Sequence, residues 1–207
     1  RNDHMTVKKW YLIRHGETDF NKKRFFYGKA DVSINETGKE QASKIHQLLK
    51  GRAISRIYTS QLKRTLETAA IIFPDQNPTA YKALNERDFG LWEGRTANEI
   101  QAAFPLVWEE WLESPFDVTP SKAEPFQKFK DRVQSIVEEI RETEDDEIGI
   151  VGHLGVLRLI YQFLVDPEAD FWSIDIPQGT VLLLEDKDPW EETLLTEGGE
   201  KDPASES

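Results

Sequence analysis

Residues 11–21 read YLIRHGETDFN, and they set the fold. Tyr11, Leu12 and Ile13 form an apolar run that ends abruptly in Arg14-His15-Gly16-Glu17-Thr18. A short apolar run bounded by turn residues reads as a buried strand. A second such run, Ile148 to Val151, ends in Gly152-His153-Leu154-Gly155. Each strand delivers a titratable imidazole to its carboxyl end. Between the two, Ile54 to Thr59 reads as a third strand, followed by Ser60-Gln61-Leu62-Lys63-Arg64 at the opening of a helix.

Helical segments separate these strands. Residues 36–50 carry Ala42, Ile45, Leu48 and Leu49 at helical spacing and stop at Gly51. Residues 61–73 read as a helix with Ser60 as its N-cap and Pro74 beyond its end. Short helices fit 96–103 and 105–112. A long one fits 124–143, with Phe126, Phe129, Val133, Ile136, Val137 and Ile140 on one face and Pro125 in its first turn. Residues 154–165 make an apolar helix. Further strands are expected at 79–85 and in a closing meander over 171–176, 180–185 and 192–196. Strands alternating with helices imply an α/β chain, a three-layer αβα sandwich with a mostly parallel sheet. Residues 1–4, ahead of Met5, read as a cloning scar, residues 5–197 as one domain, and residues from 198 as a polar, disordered tail.

Composition excludes several functions. The chain has 207 residues and a formal net charge of −12, which argues against nucleic acid and against an anionic membrane surface as partners. There are no cysteines, so thiolate chemistry and disulfides are excluded and a reducing, cytoplasmic setting fits. No apolar run is long enough to span a bilayer. The four histidines show no metal-ligand spacing.

In a parallel sheet, ligands lie outside the carboxyl ends of the strands. That rule brings Arg14-His15, Arg64 and His153 to one rim. Taken singly, each has a plain reading as a satisfied strand-end histidine or a solvated helix arginine. Taken together, two arginines and two histidines repel one another unless an anion joins them. Arginine is the preferred side chain for multidentate phosphate recognition. Backbone N–H groups at the helix starts after residues 60 and 153 are expected to add to the anion site.

Four stretches in order, RHGET with Asn21, SQLKRTLETA, NERDFGLWEG and VGHLGVLR, resemble the histidine phosphatase superfamily, also called phosphoglycerate mutase-like, over about residues 7–196. The resemblance implies a phosphomonoesterase with no metal or other cofactor, acting on a small phosphorylated metabolite. It implies that His15 is the nucleophile, that Arg14, Arg64 and His153 bind the phosphoryl oxygens, and that Glu86 protonates the leaving oxygen. Asn21, Gly28, Ser60 and Leu154 are implied contacts around the phosphate. The compact span from Glu86 to His153 lacks the longer insertion of the mutases. The run FGLWEGRTANEI, with Trp108, Trp111 and Asp131-Arg132-Val133, is similar to the alpha-ribazole phosphatase and small broad-specificity phosphatase group, which makes alpha-ribazole 5′-phosphate a candidate substrate. Ala123-Glu124-Pro125 departs from that group around a retained Glu124, and Leu154 replaces a common glycine. The alternatives are a mutase-type phosphotransferase and a catalytically silent binder of phosphorylated ligands. Trp108 and Trp111 are expected in the core. The oligomeric state stays open, a homodimer included.

Overall fold

The computed structural model describes residues 7–203. Seven strands form one mixed sheet in the order β3 (Thr79–Ala80), β2 (Arg56–Thr59), β4 (Glu147–Gly152), β1 (Lys9–Arg14), β5 (Val181–Glu185), β6 (Glu191–Thr196) and β7 (Gly199–Lys201). Its central strand, β1 (Lys9–Arg14), pairs in parallel with β4 (Glu147–Gly152), which pairs in parallel with β2 (Arg56–Thr59). On the other side β1 meets β5 (Val181–Glu185) antiparallel, then β6 (Glu191–Thr196) follows antiparallel. The sheet is parallel where the site lies and antiparallel in its C-terminal half.

Helices cover both faces, so the sheet is the middle of three layers. Successive side chains of a strand point to opposite faces, and β1 shows why both must be apolar. Trp10 and Leu12 pack with Phe129, Val133 and Ile136 of α6 (Phe126–Arg141) and with Val156 and Leu159 of α7 (Leu154–Leu164). Tyr11 and Ile13 pack with Ala42 and Ile45 of α2 (Glu36–Leu48) and with Ala69 and Ile72 of α3 (Lys63–Ile72). A third cluster joins Trp92, Trp108 and Trp111, with Phe26 against it, where α4 (Ala97–Ala103) and α5 (Pro105–Glu113) leave the main layers. The tryptophans of α5 are core, as their spacing indicates. A four-residue helix, α1 (Asp19–Lys22), follows the first motif, capped by Thr18 and Asn21 in a reciprocal pair of side chain to backbone bonds.

Four sequence expectations are corrected. The strand at 79–85 shrinks to β3 (Thr79–Ala80), after which a 3-10 turn over Lys82–Leu84 swings Glu86 toward the sheet rim. Residues 171–173 form a 3-10 turn, because the Asp170 carboxylate accepts from Trp172 N–H and Ser173 Oγ–H. The tail expected to be disordered from Gly198 instead forms a hairpin into β7 (Gly199–Lys201), with Gly199 at φ 110°. Ser60 does not cap α3; Leu62 occupies that position, and the Ser60 hydroxyl bonds elsewhere. Residues 1–4, read as a cloning scar, and residues 204–207 of the tail lie outside the described residues. Among the described residues no helix is long and apolar enough to cross a membrane.

Candidate active site

The carboxyl ends of β1, β4 and β2 meet at one cavity of about 340 Å³, lined among others by Arg14, His15, Arg64, Glu86, His153 and Leu154. His15 N–H extends the β1–β4 ladder by donating to Gly152 C=O at 2.9 Å. The two imidazoles lie with ring centroids 5.4 Å apart.

His15 is buried, and its Nδ1 sits 2.7 Å from Gly16 C=O. A carbonyl only accepts, so Nδ1 carries the proton, and Nε2 is the nitrogen with the free lone pair. Burial, followed by the charges of Arg64 and then Arg14, depresses the ring to about 3, against the pull of the Gly16 carbonyl. The ring is therefore neutral at pH 7. This has a stability consequence with a definite sign. Between pH 6.5 and about 3 the unfolded chain binds a proton at this position that the folded chain does not, so stability falls as pH falls through that window. The loss attributable to His15 is roughly 3 kcal/mol on going from pH 7 to pH 4. Urea unfolding should show wild type losing about that much relative to His15→Gln over the same range; an unchanged difference between the two proteins would refute it.

Arg64 is 1% exposed. Its Nη1 donates to Ala30 C=O at 2.6 Å and its Nη2 to Gly28 C=O at 2.7 Å, and its guanidinium lies 4.6 Å from the Tyr27 ring centroid. The carbonyl loop is held in turn by Glu93, whose carboxylate accepts from the N–H groups of Gly28, Ala30 and Phe89. Gly28, expected near the phosphate, has its N–H on Glu93 and its C=O on Arg64. Both its backbone groups are engaged, and a Cβ there would stand 1.6 Å from Arg87 C=O. Gly28→Ala should destabilise the fold by about 3 kcal/mol or more, because the clash is with backbone. A thermal shift of less than a few degrees would contradict that close approach.

His153 Nε2 lies 2.8 Å from Ser60 Oγ, which is 2.8 Å from Thr65 Oγ1. Ser60 is therefore a support for His153, itself buried among these groups. Burial first, then the Arg64 charge, hold His153 well below the usual histidine range. The backbone groups at the start of α3 are also engaged: Gln61 N–H donates to Asn85 Oδ1, Leu62 N–H to Ser60 Oγ and Lys63 N–H to Asp31 Oδ1. These three N–H groups, expected to add to the anion site, have partners within the protein.

Glu86 is fixed by the N–H groups of Gly155, to Oε2 at 3.0 Å, and of Arg87, to Oε1 at 3.2 Å. Gly155 leaves the room, since a Cβ there would stand 2.6 Å from Glu86 Oε1. Burial pushes the Glu86 carboxyl above the ordinary carboxylate range, outweighing both N–H donors and the charges of Arg64 and Arg132. Asn21 lines the cavity, with Oδ1 held by Thr18 N–H and Gln178 Nε2. Leu154 lines it beside His153.

Three supporting residues escaped the sequence reading of roles. Arg132 donates to Ala83, Asn85 and Glu86 carbonyls and pairs in bidentate fashion with Glu124, which explains the retained Glu124. Glu93 holds the Arg64 cradle. Gln178 donates to His15 C=O and Asn21 Oδ1. Glu93 and Arg132 stand inside motifs already singled out, but nothing in their spacing says what they touch. Gln178 gave no signal.

Among atoms with no partner in the protein are Arg14 Nε, Arg64 Nε and His153 Nδ1, all buried and all on residues lining this cavity. Among the described residues no group of three or more His, Asp or Glu side chains is placed to hold a metal.

The geometry gathers two arginines, two neutral histidines and a buried carboxyl group at one cavity. Residues 10–195 match the model of the histidine phosphatase superfamily (branch 1), and the chain belongs to that family. It is 31% identical over 173 residues to the adenosylcobalamin/alpha-ribazole phosphatase of Salmonella typhimurium, covering 82% of this chain and 86% of that one. It is 31% identical to phosphoserine phosphatase 1 of Hydrogenobacter thermophilus over 169 residues, 80% of each. The crystal structure of the alpha-ribazole phosphatase from Shigella flexneri superposes with a TM-score of 0.79 at 29% identity, covering 85% of this chain and 89% of that one. These relatives are phosphatases, consistent with phosphomonoester hydrolysis as the class of activity.

Proposed function

We propose that the chain hydrolyses phosphomonoesters of small metabolites through a phosphohistidine on His15, without a metal. The observation that carries this is the Nδ1–H donation to Gly16 C=O, which leaves a neutral ring with Nε2 unprotonated in a cavity of cationic donors. Nε2 attacks phosphorus while the bond to the leaving oxygen breaks, and Glu86 gives that oxygen its proton. Water, deprotonated by the Glu86 carboxylate, then displaces His15 from phosphorus, releasing phosphate and restoring the neutral ring.

Arg14, Arg64 and His153 bind the phosphoryl oxygens. Their unpartnered nitrogens support this role, because buried donors gain most from a charged acceptor. Each such donor aimed at the developing charge contributes about 10²- to 10³-fold. Asn21 and Leu154 border the same group. The raised carboxyl of Glu86 supports its role as the acid, since it must hold a proton near neutrality.

Alpha-ribazole 5′-phosphate is the candidate substrate that the Salmonella relative supplies, and phosphoserine the one from Hydrogenobacter. Phosphate release in EDTA from these two, p-nitrophenyl phosphate and 3-phosphoglycerate tests the proposal. Turnover of at least one, lost in His15→Ala, is expected. No release from any, or undiminished release by the variant, would refute it.

A further inference from the structure

Glu86 borders a second cavity. This space, of about 740 Å³, also carries Lys29, Lys82, Lys122 and Lys128 in its wall. We propose that it is a subsite for an anionic group, a carboxylate or a second phosphate, on the leaving portion of the substrate. The inference rests on the hydrolase reading and deepens it to a substrate class.

The position follows from the chemistry. In an in-line displacement the leaving group departs on the side of phosphorus opposite the nucleophile. Glu86, as the acid on the leaving oxygen, borders both cavities. What hangs on that oxygen therefore extends past Glu86, away from His15 and into the lysine-lined space.

The charge balance of the wall supports an anion. The four lysines come from four separate segments: the loop after α1, the 3-10 turn, the loop ahead of α6 and the first turn of α6. No ion pair engages any of them among the described residues. Of the three acids in the same wall, Glu86 is held by two backbone N–H groups. Glu124 is paired with Arg132, whose guanidinium is itself filled by that carboxylate and three carbonyls. Asp88 Oδ1 accepts from Gly90 N–H. Four lysines lining one cavity run against a chain whose net charge is −12.

Lys122 adds a second, independent sign. It is one of two non-glycine residues with positive φ among the described residues, at 62°, and the other, Arg24 at 60°, lines the His15 cavity. A non-glycine side chain held in the left-handed region is uncommon and strained. Each half of the cleft thus has one cation presented from a strained backbone position.

The test compares 3-phosphoglycerate with glycerol 3-phosphate, which differ only in a carboxylate against a hydroxymethyl group. Wild type should prefer 3-phosphoglycerate by about tenfold in kcat/KM at low salt. Where turnover is slow, the same ratio is read from competitive inhibition of p-nitrophenyl phosphate hydrolysis. In the Lys82→Gln, Lys122→Gln, Lys128→Gln triple variant the ratio should collapse toward one. A wild-type ratio near one, or a ratio that survives in the variant, overturns the subsite. An equal fall for both compounds means general electrostatic steering and overturns it too. If wild type releases no phosphate even from p-nitrophenyl phosphate, the hydrolase reading fails; a calorimetric titration with 3-phosphoglycerate, weakened in the variant, then separates the two. On this account a neutral leaving group such as alpha-ribazole ranks below an anionic one.

Discussion

Replacing His15 with alanine should lower kcat/KM for p-nitrophenyl phosphate by more than about 10⁴-fold. Two effects combine. The attacking lone pair on Nε2 is lost, so the direct displacement by water must carry the whole barrier. Hydrolysis of phosphate monoesters is among the slowest uncatalysed reactions, with enzymatic accelerations up to about 10²¹-fold. The three residues proposed to bind the phosphoryl group remain, so substrate should still bind and some acceleration over water should persist. The ring's hydrogen bond is to the adjacent Gly16, so its removal leaves the hydrogen bonds of Arg64, Glu86 and His153 in place and gives up the ring contact with His153. Phosphate release by the purified variant, with its thermal transition measured beside it, checks the expectation. A folded variant within about tenfold of wild type would contradict the assignment.

The second large effect is at Glu86. Glu86→Gln should reduce kcat by about 10²- to 10⁴-fold for an alkyl phosphate, whose leaving oxygen needs a proton. For p-nitrophenyl phosphate the first step should suffer less, because p-nitrophenolate leaves without one, and phosphoenzyme should accumulate. The pH dependence follows with a definite sign. The acid form of Glu86 is the one needed for alkyl substrates, and burial holds its titration above the ordinary carboxylate range. Activity on alkyl phosphates should therefore fall on the alkaline side as Glu86 loses its proton in the complex. His15, depressed to about 3, gives no acid limb near the ordinary histidine value. A kcat profile that drops as pH falls through 6.5, in step with histidine protonation, would contradict the neutral-ring mechanism. Equal losses for the alkyl and nitrophenyl esters in Glu86→Gln would contradict the acid role.

Particular residues show what the sequence can and cannot reveal. β1 and β4 are legible because both faces of each are buried, so their apolar runs are uninterrupted until the functional residue at the rim. The rim itself follows from the parallel-sheet rule, and Arg14, His15, Arg64 and His153 do converge there. Glu86 joins them from a loop, brought in by a 3-10 turn where a longer strand was expected. What fails is partner choice. Ser60 has the chemistry of an N-cap, but His153, remote in sequence, takes its hydroxyl. The α3 amides have the geometry of an anion site, but Asn85 and Asp31 reach two of them. Gly28 sits beside the pocket residues in sequence, yet its value is the space its missing Cβ leaves for Arg87. Local pattern reports which groups are available, and only tertiary contact decides which of them are occupied.

The covalent intermediate is the central claim, and trapping it is the most direct measurement. Wild type mixed with p-nitrophenyl phosphate and quenched in alkali within a turnover should carry one phosphoryl group, stable to base and labile to acid, on the peptide containing His15. Glu86→Gln should carry more of it, and His15→Ala none. Rapid hydrolysis by wild type with no phosphorylated peptide, or the label on any other residue, would contradict the account.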